Sequence, residues 1–151
     1  MDANKKTLLG AILVLTIALA ACTTGEADQS PVQSAALVDT EWVLGSLNGN
    51  ALIGGREVTL RFGEASVEGS GGCNTYGGSY TASKDNLRLS GVYATEMACM
   101  EPKGIMEQEQ AYFQALNAVA SYRVSGERLE LFDEGGAQTL VYVAAGGPSP
   151  A

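Results

Sequence analysis

From Thr40 onward, apolar and polar positions alternate along most of the chain. Residues 41–47 (Glu-Trp-Val-Leu-Gly-Ser-Leu) read as a strand that ends in the Asn48-Gly49-Asn50 turn. Residues 57–62 alternate more strictly, with Val58, Leu60 and Phe62 on one face, and residues 65–69 return after a turn at Gly63-Glu64. Residues 76–81 and 87–90 flank the Ser83-Lys84-Asp85-Asn86 turn, and 92–95 extend the second of them after a bend at Gly91. The period then changes. Residues 104–120 contain no glycine or proline after the first position. Met106, Phe113, Leu116 and Val119 or Ala120, with Tyr112 alongside, form the stripe of one amphipathic helix. Period two returns at 122–126 and 128–132, a hairpin, and at 139–143 beyond the Asp133-Glu134-Gly135-Gly136 turn. This order predicts a mainly β (α+β) domain: a small antiparallel curved sheet or incomplete β-barrel of about eight short strands. One inserted helix buries its stripe against the sheet or plugs its open end.

The N-terminal pattern is different. Lys5 and Lys6 precede an uncharged apolar run over residues 8–19. About a dozen residues cannot span a ~30 Å hydrocarbon core as a helix. A basic start, a short apolar run and small residues after it mark an export signal. The run ends in Leu19-Ala20-Ala21-Cys22, which resembles a bacterial lipobox. That resemblance implies a signal peptide over 1–21, acylation of Cys22 with palmitate-type chains, and a membrane anchor. The alternatives are an ordinary signal peptide that carries a cysteine, or an uncleaved anchor. Residues 22–39 are then the lipidated N-terminus and a flexible polar tether reaching on the order of 20 Å. Residues 40–143 are the domain, and 144–151 a disordered tail. Lipoproteins kept at an inner membrane usually carry Asp after the cysteine; Thr23 here favours the outer membrane, facing the periplasm.

Charge narrows the partners. The chain has 9 basic and 17 acidic residues, a net charge of −8. Removal of Asp2, Lys5 and Lys6 with the signal leaves the mature chain one unit more negative. That argues against nucleic acid and against electrostatic docking on anionic lipid. Of the three cysteines, Cys22 belongs to the lipobox, leaving Cys73 and Cys99 as a disulfide candidate in an exported domain. Closing that loop would add about 3–4 kcal/mol. The alternative is two free buried thiols.

The sequence offers little to catalysis. It contains no histidine, the commonest general base and metal ligand. No Asp or Glu stands in a recognisable motif; Glu107 and Glu109 fall on opposite sides of the helix and make no pair. The Gly69-Ser70-Gly71-Gly72-Cys73-Asn74 loop lacks the lysine and the following helix of a phosphate loop. Its glycines and Asn74 are expected to supply positive φ beside the cysteine. The acidic turns are too short for a calcium loop. No catalytic residue, metal or cofactor is therefore expected. Trp42, Tyr76, Tyr80, Tyr112 and Phe113 are read as core, with a cavity lining as the alternative.

Several segments together resemble the META domain, also called HslJ-like. They are Gly72-Cys73-Asn74-Thr75-Tyr76, Gly78-Ser79-Tyr80, Thr95-Glu96-Met97-Ala98-Cys99, and Met106-Glu107-Gln108-Glu109 with Phe113 and Leu116. Trp42 and Arg128-Leu129-Glu130-Leu131 fit as well. Glu96 departs from the family, which often has a basic or neutral residue there. The resemblance implies an exported protein, often a lipoprotein, linked to heat shock or envelope stress and in some cases to motility or virulence. It implies no established enzymatic activity. It implies a disulfide between Cys73 and Cys99, Gly72, Asn74, Tyr76 and Met97 as structural motif residues, and an incomplete barrel like that of secretin pilot lipoproteins. The leading expectation is a non-enzymatic envelope lipoprotein acting through contacts with another envelope protein. The alternatives are a carrier or pilot that holds a lipid or peptide in the barrel, and an inhibitor of a wall-degrading or proteolytic enzyme that uses an exposed loop near Cys73.

Overall fold

The alternating segments all become strands in the computed structural model, which describes residues 36–146. In chain order the elements are β1 (Thr40–Leu47), β2 (Asn50–Ala51), β3 (Thr59–Phe62), β4 (Ser66–Ser70), β5 (Thr75–Ser83) and β6 (Asn86–Ala94), then α1 (Ile105–Asn117), β7 (Val119–Ser125), β8 (Arg128–Asp133) and β9 (Gln138–Ala144). All pairings are antiparallel: β1 pairs with β3 at Thr40–Val43 and, further along the same edge, with the short β2 at Ser46 and Leu47, and from β3 to β9 each strand pairs with the next. β1 also pairs with β9, from Trp42↔Ala144 to Leu47↔Leu140. Eight strands thus close into a barrel, which removes the open edge that an incomplete barrel would leave. The meander follows from its turns. Lys84, with φ of 57°, makes the two-residue hairpin between Ser83 and Asn86, and Gly126, with φ of 58°, makes the one between Ser125 and Arg128.

One seam is thin. β6 and β7 are in register through Asn86↔Ser121 alone. There the chain leaves the sheet after Ala94, forms α1 and returns. The helix packs closest to β6, with further contacts to β1 and β9.

The barrel interior is filled. Trp42, Leu60, Phe62, Tyr80, Leu131 and Tyr142 belong to a single apolar cluster. Eight strands enclose a space just wide enough for such side chains. The core reaches back to Leu37, which is fully buried, and Ala145 N–H still donates to Glu41 O at 2.8 Å beyond β9. Residues 1–35, with the expected signal, Cys22 and most of the expected tether, lie outside the described residues, as do 147–151.

The helix corrects the sequence reading in its orientation. Its buried residues are Ile105, Glu109, Tyr112, Ala115 and Leu116. Met106 and Phe113 flank this stripe half-buried, and Val119 and Ala120 belong to β7. Burying Ile105 and Leu116 stabilises the barrel–helix contact by about 1.5–3 kcal/mol each. The unexpected member is Glu109, a carboxylate 4% exposed in the middle of an apolar face.

Candidate functional site

Glu109 is buried because the loop between β4 and β5 supplies its partners. Gly71 N–H donates to Asn74 O at 2.7 Å and Gly72 N–H to Ser70 Oγ at 3.1 Å, closing a tight turn. Gly72 takes φ of 109°, a left-handed conformation that favours glycine. The turn aims two successive amides at one point. Cys73 N–H and Asn74 N–H donate to Glu109 Oε1 at 3.0 and 2.6 Å, and Asn74 Nδ2 donates to Oε2 at 2.6 Å. Gly71 must lack a side chain: a Cβ there would lie 2.6 Å from Glu109 Oε1 and 2.9 Å from Phe113 Cζ. Asn74 was expected to supply positive φ. It has none; its side chain carries the role instead.

The opposite side of Asn74 holds the segment that follows β6. Its Oδ1 accepts from Thr95 Oγ1 at 2.8 Å and from Met97 N–H at 2.7 Å, while Nδ2 also donates to Met97 O at 3.2 Å. The Cys73–Cys99 disulfide ties the same two segments, with Cα atoms 5.9 Å apart. Asn74 and the disulfide therefore bind together three pieces far apart in sequence: the glycine loop, the β6–α1 connection and α1. Of the predicted motif residues, Gly72, Asn74 and Met97 converge here. Residues 71–74 are buried, so the loop near Cys73 is no exposed inhibitory loop.

Tyr76 lies beside this network in a second one. Its hydroxyl donates to Thr59 O at 2.8 Å and so accepts from Tyr112, 2.6 Å away; Tyr142 donates to Tyr112 at 3.2 Å. The hydroxyls form a one-way chain that ends on a backbone carbonyl. The rings of Tyr76, Tyr112 and Phe113 pack edge-on or tilted at 5.5–5.8 Å. Burial pushes the Tyr76, Tyr112 and Tyr142 hydroxyls well above the ordinary tyrosine range, and their mutual proximity adds to it. They stay protonated and serve as hydrogen-bond partners.

The arrangement joins segments and presents no free reacting group. Both oxygens of Glu109 and every polar atom of the Asn74 side chain are engaged within the protein. Among the described residues no group of three His, Cys, Asp or Glu could hold a metal ion, and no helix is long and apolar enough to cross a membrane.

An open feature lies on the outer face. A groove of about 560 Å³ runs across β3–β6, lined by Glu41, Arg61, Glu68, Thr75, Tyr93 and Thr95 among others. Tyr93 is 71% exposed. It is the cross-strand partner of Gly77, and a Cβ on Gly77 would lie 2.6 Å from Tyr93 Oη. The ring covers a bare stretch of backbone and leaves its other face to solvent. Arg61 and Glu68 form an exposed ion pair at 3.1 Å in the groove, worth at most about 1 kcal/mol.

The META domain family model matches residues 35–146. The fold is similar to the NMR structure of a protein from Burkholderia xenovorans: 30% identity, 72% of this chain and 83% of that chain covered, TM-score 0.58. A second protein solved by NMR is 28% identical over 73% of this chain and 92% of its own, with a TM-score of 0.59. The crystal structure of a DUF4847 family protein from Bacteroides vulgatus, 14% identical, shares the fold with a TM-score of 0.51 over 71% of this chain and 93% of that one. No curated protein sequence matches. With the family match spanning all the described residues, the chain belongs to the META domain family.

Proposed function

We propose that this protein is a lipid-anchored envelope protein that acts without catalysis, through contact between its barrel and another envelope protein, in stress tolerance or envelope maintenance. The observation that carries the reading is how the polar groups are distributed. The groups with chemical capacity inside the domain, Glu109, Asn74 and the three tyrosine hydroxyls, are consumed by internal bonds. The outer groove keeps an exposed aromatic ring flanked by both signs of charge. Exposed tyrosines of this kind are typical anchors of protein contacts. The filled interior favours contact at the surface over carriage of a lipid or peptide inside the barrel.

The Leu-Ala-Ala-Cys signal supports the anchor. Several acyl chains on one cysteine would hold the domain stably, since a single chain binds only marginally. Two variants test the reading. Cys22→Ala should move the protein from the membrane fraction to the soluble one. Tyr93→Ala should keep the fold and the anchor but lose the protein that copurifies after crosslinking. Retention of Cys22→Ala on membranes would refute the anchor, and an unchanged partner with Tyr93→Ala would refute the contact surface.

A further inference from the structure

We propose that Met97, Met100 and Met106 form a binding site for a soft monovalent cation, Cu(I) or Ag(I). The chain has four methionines, and these three fall within ten residues of one another; the fourth is Met1. Two of these side chains stand largely in water. Met97 is 54% and Met100 85% exposed, and with Tyr93 they are the exposed large apolar side chains of the described residues. An exposed methionine contributes little to folding, so packing does not account for them. The third thioether comes from α1. Cys99 N–H donates to Met106 Sδ at 3.4 Å, which places that sulfur against the backbone between Met97 and Met100. A thioether sulfur has two lone pairs, so one remains for a metal.

The backbone at Met97 and at Cys99, beside Met100, is held in place. Met97 is held through both its N–H and its carbonyl by Asn74, at 2.7 and 3.2 Å. Cys99 is held by the bond to Cys73. A loop pinned at these two points, with the helix supplying the third donor, needs little reorganisation to bring thioethers together.

The ligand type selects the ion. Neutral, polarisable thioethers favour Cu(I) and its like over Zn, Mg or Ca. The two cysteines that would otherwise compete are tied up in the disulfide. The exposed carboxylates Glu96 and Glu101 flank the loop, and the net charge of −8 adds a field that draws cations.

Silver serves as the probe because it needs no reductant. The full-length protein, with its disulfide intact and its methionine methyls labelled with carbon-13, is titrated with Ag(I) in chloride-free buffer containing detergent. The methyl signals of Met97, Met100 and Met106, assigned by single Leu substitutions, should shift together and saturate over a single equivalent of silver. M97L/M100L/M106L should bind one silver fewer by native mass spectrometry. Met1 and Cys22 are present in both proteins and cancel. Leucine keeps the apolar area, and the M97L/M100L variant leaves the half-buried position untouched should the triple change disturb the fold. An unmoved signal from any of the three, or equal silver stoichiometry in the wild type and the substituted proteins, would overturn the site.

Discussion

Glu109→Gln isolates the buried junction, because it keeps size and shape while replacing one acceptor by a donor. Glu109 accepts at both oxygens, from Cys73 N–H and Asn74 N–H on Oε1 and from Asn74 Nδ2 on Oε2. A glutamine can keep its oxygen toward the two backbone amides. Its Nε2 then faces Asn74 Nδ2 across a 2.6 Å contact, donor against donor. Leaving a buried donor unpaired costs about 1–3 kcal/mol. The two bonds that remain also weaken, since hydrogen bonds to a carboxylate are roughly twice as strong as neutral ones. Together these predict a loss of about 2–4 kcal/mol, or roughly 10–20 °C in Tm for a domain of this size. Urea and thermal unfolding with the disulfide intact read it. A second change sharpens the test. Asn74→Asp in the Glu109→Gln background again sets a donor against an acceptor, and the pair should recover at least about 1 kcal/mol relative to the sum of the singles. Glu109→Gln within about 0.5 kcal/mol of wild type, or strict additivity in the double variant, would refute this account of the junction.

Three further outcomes are expected. Cys73→Ala with Cys99→Ala should lower stability by about 3.5 kcal/mol, from the chain entropy of a loop with a sequence separation of 26, measured as the shift in urea midpoint. The tyrosine chain sets an alkaline limit. Tyr76, Tyr112 and Tyr142 have folded values raised above the unfolded value near 10, so their contribution is intact below about pH 10 and is lost as pH climbs toward the folded values. The unfolded chain then releases protons that the fold withholds. Stability should fall by about 4 kcal/mol per pH unit once all three ionise in the unfolded state, and a flat urea midpoint between pH 9 and 11 would contradict this. Gly71→Ala should destabilise by roughly 1–3 kcal/mol, because its Cβ meets Glu109 Oε1 and Phe113 Cζ; calorimetry would show the drop in Tm.

The local parts of this fold were legible and the long-range ones were not. Alternation and turn residues located every strand except the two-residue β2, which falls where a turn was read, and a glycine-free run located α1, because both signals are local. Closure of β1 on β9 joins the two ends of the domain and leaves no trace in either strand's pattern. The sequence placed Glu109 on the opposite side of the helix from Glu107 but named no partner for it. Its donors lie 35 and 36 residues earlier, so no local window contains them. One signal was available. Ile105, Tyr112 and Leu116 share a face with position 109, and a glutamate inside an otherwise apolar stripe asks for a partner. The cysteine pair was the one long-range contact that residue type alone could name.

The central claim is that this anchored barrel works by contact through the groove around Tyr93. The most direct measurement places a photo-crosslinking amino acid at position 93 of the full-length protein in intact cells, with position 127 in the β7–β8 turn as control. The account predicts a discrete crosslinked species from position 93 that is absent from position 127 and disappears when Cys22 is replaced by Ala. Equal crosslinking from both positions, or an unchanged product without Cys22, would contradict it.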